Sequence, residues 1–281
     1  MEQYFISSAG VKIPKLIYGT AWKEDKTADL VELALAKGFR GIDTACQPRH
    51  YKEPLVGEGI QRAYAKGLKR EDLFLQTKFT SISGQDPDDI PYDQDKTLSE
   101  QILESFTVSK INLKTDYLDS LILHSPMANW DETLVAWQTL ERLVETGEVK
   151  QIGVSNCYDP NLLSKLYQHA KIKPALLQNR FYRDTNYDSE LRKFCDENNI
   201  FYQCFWTLRA NVHILKSKAI AKLVESKGKT DAQIFFRCLN HQNIHPIIGT
   251  TSSKHMEEDL DIFSFSLSDE ECELIKKSGP Y

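Results

Sequence analysis

The chain has 281 residues, 41% hydrophobic and 27% charged, enough apolar material to bury a sizeable core in an ordinary globular protein. A net charge of −5 gives no bulk attraction to nucleic acid or an anionic membrane, and the six cysteines (46, 157, 195, 204, 238 and 272) contain no CxxC pair, so reduced thiols are expected. Met1-Glu2-Gln3-Tyr4 carries no basic or apolar leader and no run approaches the roughly 20 apolar residues of a membrane span, so a cytoplasmic protein is expected.

Residues 4–13 (YFISSAGVKI), with turn-like Ala9-Gly10 between apolar pairs, predict a small hairpin. A strand over 16–19 is followed by a helix over 27–37, with Thr27 as N-cap and Gly38 as stop. The next units are a strand over 39–43 with a helix over 55–66, and a strand over 73–78 with a helix over 97–111. A polar, Asp/Pro-rich loop spans 80–95 between these last two. Strands over 117–124, 149–154 and 175–178 precede helices over 131–146, 160–170 and 187–198. A strand over 200–205, helical stretches over 214–226 and 231–241, a strand over 245–248 and a last helix from 253 complete the series.

Parallel neighbours need helical crossovers, so eight β/α units in series predict an α/β chain folded as one (β/α)8 TIM barrel over residues 1–281. The hairpin would close its bottom, and no linker divides the chain. Active sites of such barrels lie at the C-terminal ends of the strands. The residues there are Asp43, Lys78, His124, Ser155-Asn156, Gln178-Asn179 and Phe205-Trp206. Singly, each has a plain structural role, as a turn cap, a solvated amine or a core aromatic. A carboxylate, an amine and an imidazole closing three consecutive strands form a constellation.

The segments GIDTA (41–45), LQTKF (75–79), LILHSP (121–126), IGVSN (152–156) and QNRFY (178–182) resemble, in order, the signatures of the aldo-keto reductase family. YGT of the first strand, TDAQIFFR (230–237) and HPIIGT (245–250) extend the resemblance over nearly the whole chain. It implies hydride transfer from a nicotinamide to a carbonyl of a small-molecule substrate, without a metal. Lys78, paired with Asp43, would lower the pKa of a tyrosine that donates the proton, and His124 would orient the carbonyl. Ser155, Asn156 and Gln178 match positions that bind the carboxamide, and Phe205 one that stacks on the nicotinamide. Gly19, Thr20, Trp206 and Leu208 fall on further cofactor positions. No dinucleotide-binding GxGxxG follows a strand, and Gly57-Glu58-Gly59 lies in a helix pattern; the family binds its cofactor without that motif.

Two departures matter. The family's tyrosine usually stands five positions after the aspartate, where this chain has Pro48; Tyr51, three residues later, becomes the expected donor, with His50 a weaker substitute. Aligned on Glu258-Asp259-Leu260, the family's phosphate-binding Lys, Ser and Arg fall on Gly249, Thr250 and His255. A 2′-phosphate would then rest on Thr250, Thr251, Ser252, Lys254, His255 and a helix N-terminus, with NADP(H) favoured and NAD(H) also admitted. The chain stops at Tyr281 soon after its last helix, so an open pocket is expected, lined by Trp22, Phe79, Trp206 and Trp130. The expected protein is a monomeric carbonyl reductase. The alternatives are a catalytically impaired NADP(H)-binding regulatory protein of the same fold, or a metal-dependent barrel hydrolase.

Overall fold

A computed structural model describes residues 3–279, so the leader reading at Met1-Glu2 and the chain end at Tyr281 lie outside the described residues. β1 (Tyr4–Ile6) and β2 (Lys12–Pro14) form an antiparallel hairpin whose turn holds Gly10 at φ +75°. Eight strands follow: β3 (Ile17–Gly19), β4 (Gly41–Asp43), β5 (Phe74–Phe79), β6 (Ser120–Leu123), β7 (Ile152–Ser155), β8 (Leu176–Arg180), β9 (Phe201–Phe205) and β10 (His245–Ile248). All are parallel, and they close as β10-β3-β4-β5-β6-β7-β8-β9, the (β/α)8 barrel. The crossovers are α1 (Thr27–Lys37), α2 (Glu53–Ala65), α3 (Leu98–Leu113), α4 (Trp130–Glu145), α5 (Pro160–His169) and α6 (Ser189–Glu197). α7 (Val212–Leu215), α8 (Lys218–Lys227), α9 (Asp231–His241), α10 (Ser253–Leu260) and α11 (Asp269–Lys276) complete the chain.

Successive strand residues face opposite sides, and the chain exploits this twice. Outward residues such as Ile42, Leu75, Leu121, Val154 and Leu177 join the helices in the main core. Inward, Ile17, Phe74, Ile122, Leu176 and Phe201 pack with Val11 and Ile13 of the hairpin into a separate apolar floor. Two residues further along, the inward positions turn polar: Gln76 and Lys78 after Phe74, Gln178 and Arg180 after Leu176, Gln203 after Phe201. The floor is dry, and the polar groups gather at the opposite end, where the strands finish.

Gly57 and Gly59 have a packing role. A Cβ at 57 would stand 2.0 Å from the Asn112 carbonyl oxygen of α3, and one at 59 would stand 2.5 Å from that of Ala28 in α1. The glycines let α2 seat against both neighbours.

Several local expectations are corrected. Thr27 is the first residue of α1, not its cap: a 3₁₀ turn over Glu24–Lys26 runs straight into the helix, and Thr27 Oγ1 donates to the Glu24 carbonyl at 2.6 Å. α6 starts at 189 rather than 187, because Asn186, Tyr187 and Asp188 hold φ of 50°, 52° and 54°, which no right-handed helix admits. The 214–226 stretch splits where Ser217 caps α8. α11, opened by a Ser268–Glu271 capping box, was not foreseen. β8 runs two residues further than expected and ends on Arg180.

Candidate active site

The polar end of the barrel centres on Asp43 and Lys78, at the ends of β4 and β5. Lys78 is 1% exposed, and its Nζ donates to both Asp43 oxygens at 2.7 and 2.8 Å and to the Thr44 carbonyl at 2.8 Å. Burial pulls the ammonium below its usual pKa while Asp43 opposes that shift. Two ions so deep in a low-dielectric interior persist only when their remaining hydrogen-bonding capacity is met. Three glutamines meet it: Gln76 Nε2 and Gln178 Nε2 donate to Asp43 Oδ1 at 2.6 and 3.0 Å. Both amides also donate to Gln203 Oε1, at 2.8 and 2.9 Å, and Gln203 Nε2 returns a bond to Gln76 Oε1 at 3.1 Å. Gln76 and Gln203 were missed in the sequence. Their signal was the inward alternation of Phe74-Gln76-Lys78 and Phe201-Gln203-Phe205.

Tyr51 comes from the lengthened β4–α2 loop. The loop coils: the Tyr51 N–H donates to the Gln47 carbonyl at 3.0 Å, closing one turn that absorbs the extra residues. Gln47 Nε2 is tied to the Gly84 carbonyl at 2.6 Å, and Gln85 Nε2 to the Cys46 carbonyl at 2.9 Å, so the 80–95 loop braces it. The Tyr51 ring then lies 5.2 Å from Lys78 Nζ and 6.2 Å, edge-on, from the His124 ring. Burial, reinforced by Asp43, raises the phenol pKa well above its usual value. This runs against the expectation of a lowered pKa: Asp43 already pairs with the ammonium, and burial outweighs what attraction remains. The Pro48 carbonyl accepts from Lys52 Nζ at 3.0 Å, and the His50 ring packs on Trp22 at 4.0 Å between ring centroids, with its Nδ1 3.0 Å from Gln47 Oε1.

His124 follows β6, its Nδ1 2.6 Å from Thr80 Oγ1. Burial, then the Lys78 and His50 charges, drive its pKa down to about 3, so the ring is neutral at physiological pH. Ser155 and Asn156 close β7. Ser155 Oγ donates to the Gln178 carbonyl at 2.7 Å, and Asn156, in the left-handed region at φ +50°, donates from Nδ2 to the His124 carbonyl at 2.8 Å. Asn179 faces outwards, bonded to Cys157 and Asp188.

The β9–β10 side is more open. Phe205 is half-buried, Trp206 is 48% exposed with φ +63°, and Leu208 packs on the main core. Gly19 and Thr20 are buried at the end of β3. Buried Lys23 donates to the Gly249 carbonyl, and its pKa is lowered by burial and by the nearby Arg209 charge. Around the start of α10, Ser252 Oγ accepts from the His255 N–H at 3.3 Å, and Thr250 Oγ1 accepts from the Ser252 N–H at 3.1 Å. Thr251, Lys254 and His255 are exposed, and Lys254 pairs with Glu258 at 3.5 Å. Asp259 is buried, which raises its carboxyl pKa to about 7, with Glu258 adding to the shift.

Two expected pocket residues face elsewhere. Phe79 is an outward position of β5, 1% exposed and packed on Tyr92 at 5.6 Å, since inward Lys78 precedes it. Trp130 opens α4 and lies against His169 and Lys165 of α5. Trp22, 67% exposed, and Trp206 remain at the mouth. A cavity of about 580 Å³ lies at the other end of the barrel, bounded by Lys12, Pro14, Arg40, Asp119 and Lys150, with none of the strand-end residues in its wall.

The model of the Aldo/keto reductase family matches residues 15–279. The chain belongs to that family. Aldose reductase B of Dictyostelium discoideum is 30% identical to this aldo-keto reductase, over 94% of this chain and 88% of its own. Glyoxal reductase of Bacillus subtilis is 29% identical over 95% and 89%. Among solved structures, an aldo/keto reductase from Brucella melitensis superposes with a TM-score of 0.82 at 29% identity, covering 98% of each chain. The Bombyx mori aldo-keto reductase solved in complex with NADP has a TM-score of 0.82 over 98% and 92%; at 24% identity it speaks for the fold alone. This aldo-keto reductase therefore has oxidoreductases as relatives, and among its described residues no helix is long and apolar enough to cross a membrane.

Proposed function

We propose that this aldo-keto reductase reduces aldehyde or ketone carbonyls of small molecules to alcohols with NADP(H), with Tyr51 as proton donor. The observation that carries the reading is the Tyr51 ring 5.2 Å from the buried Lys78 ammonium, with neutral His124 alongside.

The residues present suit a dinucleotide. The mouth offers the half-buried Phe205 ring, the cations Lys23 and Arg209, and a hydroxyl-rich N-terminus of α10. Phe205, Ser155, Asn156 and Gln178 would hold the nicotinamide end, and residues 249–255 the adenosine end. When bound, the reduced nicotinamide supplies the hydride. An NAD(P)H-dependent D-xylose reductase of Pachysolen tannophilus, 29% identical over 98% of this chain and 93% of its own, supports that cofactor class. Hydroxyls and backbone amides without an arginine make a modest 2′-phosphate site, so NADP(H) is preferred over NAD(H) by a small margin.

The chain's own groups do the rest. The mechanism takes the Thr80 hydroxyl, 2.6 Å from Nδ1, as the donor of that pair; the proton of the neutral His124 ring would then sit on Nε2, where it would donate to the carbonyl oxygen and share its developing charge. The raised pKa keeps Tyr51 protonated until the substrate oxygen becomes an alkoxide, a stronger base than phenolate. Tyr51 then gives up its proton, and Lys78 stabilises the phenolate left behind. Gln76 and Gln178 anchor the Asp43 carboxylate, Gln203 anchors both glutamines, and Asp43 holds Lys78 in place.

NADPH oxidation by a panel of aldehydes and ketones, with wild type beside Tyr51→Phe, tests this. Turnover lost in Tyr51→Phe is expected, and full turnover in that variant would remove Tyr51 as the donor. Tight NADPH binding with no turnover of any carbonyl would leave the regulatory reading instead.

A further inference from the structure

Arg180 is the residue at the mouth that neither the fold nor the proposed chemistry uses. It ends β8, in register with Phe205 of β9, and continues the inward series Leu176, Gln178, Arg180. Its side chain therefore stands one layer above Gln178, over the polar end of the barrel. The guanidinium lies 4.3 Å from the Trp206 ring centroid and 5.5 Å from that of Tyr182. Its backbone is fixed by a relay that starts at the catalytic group. Asn156 Nδ2 donates to the His124 carbonyl at 2.8 Å, the Tyr158 hydroxyl donates to Asn156 Oδ1 at 3.2 Å, and the Arg180 N–H donates to that hydroxyl at 3.1 Å.

The side chain has no such partners. Among the described residues no Asp or Glu pairs with it, and its Nε is buried without a hydrogen-bond acceptor. A half-buried arginine with an orphaned donor, packed against an aromatic ring, is a planar fork suited to two oxygens. Lys23, the other cation sunk in the mouth, already spends a donor on the Gly249 carbonyl.

We propose that Arg180, supported by Trp206, is an anion receptor of the active-site mouth that takes a carboxylate or phosphate of the bound molecule. The inference rests on the reductase reading for its place in catalysis, though not for the binding itself. Two molecules can present such a group here: a carbonyl substrate that is also an acid, and the pyrophosphate of the dinucleotide. β8 stands two strands from the β6 end that carries His124, about 10 Å at the usual strand spacing, within the span of a short acid-bearing aldehyde.

The test uses wild type, Arg180→Gln and Arg180→Lys, each checked for a native circular dichroism spectrum and melting temperature. The first arm compares kcat/KM for 4-carboxybenzaldehyde with that for its neutral methyl ester. The second measures the NADPH Kd by fluorescence. The third titrates the tryptophan emission with benzoate and with benzamide, without turnover. If the anion is the substrate's, the acid-to-ester ratio falls by about tenfold or more in Arg180→Gln, with partial rescue by Arg180→Lys and an unchanged NADPH Kd. If it is the cofactor's, the ratio holds and the NADPH Kd rises by about tenfold. Either result supports the receptor. An acid-to-ester ratio, an NADPH Kd and a benzoate affinity that all ignore Arg180→Gln would overturn it. Absence of turnover in wild type would sink the reductase reading alone, and the benzoate and NADPH arms would still decide the receptor.

Discussion

The two halves of the barrel mouth are built on opposite electrostatic terms. On the β4–β6 side each polar group has its partner: Lys78 has Asp43, Asp43 has two glutamine amides, and the neutral His124 ring has Thr80. On the β8–β10 side cations stand with little against them: among the described residues Arg180 has no acid, and Lys23 finds a carbonyl with Arg209 nearby. A closed network fixes geometry and protonation in advance, which proton transfer requires. An open cationic rim leaves its balance to whatever binds.

The sharpest way to break that contrast is to remove one member of the closed side. Asp43→Ala leaves Lys78 as an unpaired ion at 1% exposure, so a loss of about 3–5 kcal/mol in urea unfolding is expected, together with activity. A loss under about 1 kcal/mol would mean that the glutamines and Thr44 suffice without the carboxylate. Tyr51→Phe keeps the ring and removes only the transferable proton. It should cost about 10²–10⁴ in kcat while leaving the melting temperature close to wild type.

The pH dependence comes next in size. His124 at the mouth and His245 under the floor are both driven down to about 3, chiefly by burial, from the ordinary 6.5. Below 6.5 the unfolded chain takes up protons that the folded chain refuses. The stability these residues contribute is therefore full above 6.5 and lost as the pH falls toward 3. Urea midpoints should drop between about pH 7 and pH 5, and His245→Gln should flatten the drop more than His124→Gln, because His245 is 2% exposed while His124 is half open. Equal slopes in all three proteins would refute the assignment. The smallest effect belongs to the open side. Lys254 is exposed and paired loosely with Glu258, so Lys254→Ala should weaken NADPH binding only about two- to fivefold. A loss of a hundredfold, read by fluorescence titration, would move the phosphate site onto that side chain.

Much of this was legible in the sequence. The β/α alternation, the strand-end triad of Asp43, Lys78 and His124, and the run of family segments depend on periods of 2 and 3.6 and on local residue order, which a linear reading preserves. Tyr51 could be named there as the first phenol after Pro48; that the loop coils on Gln47 and brings the ring over Lys78 is a matter of backbone geometry. Phe79 and Arg180 show the same gap from opposite sides. Which face a strand-end residue takes depends on its parity along the strand: Phe79, one residue past inward Lys78, falls on the wall, and Arg180, two residues past the expected end at Gln178, stays on the pocket face. The direction of the Tyr51 shift, the glutamine support of Asp43 and the unanswered charge of Arg180 were decided only by the tertiary structure. Desolvation and hydrogen bonding depend on groups from strands more than a hundred residues apart, such as Gln76 and Gln203, that meet only when the barrel closes.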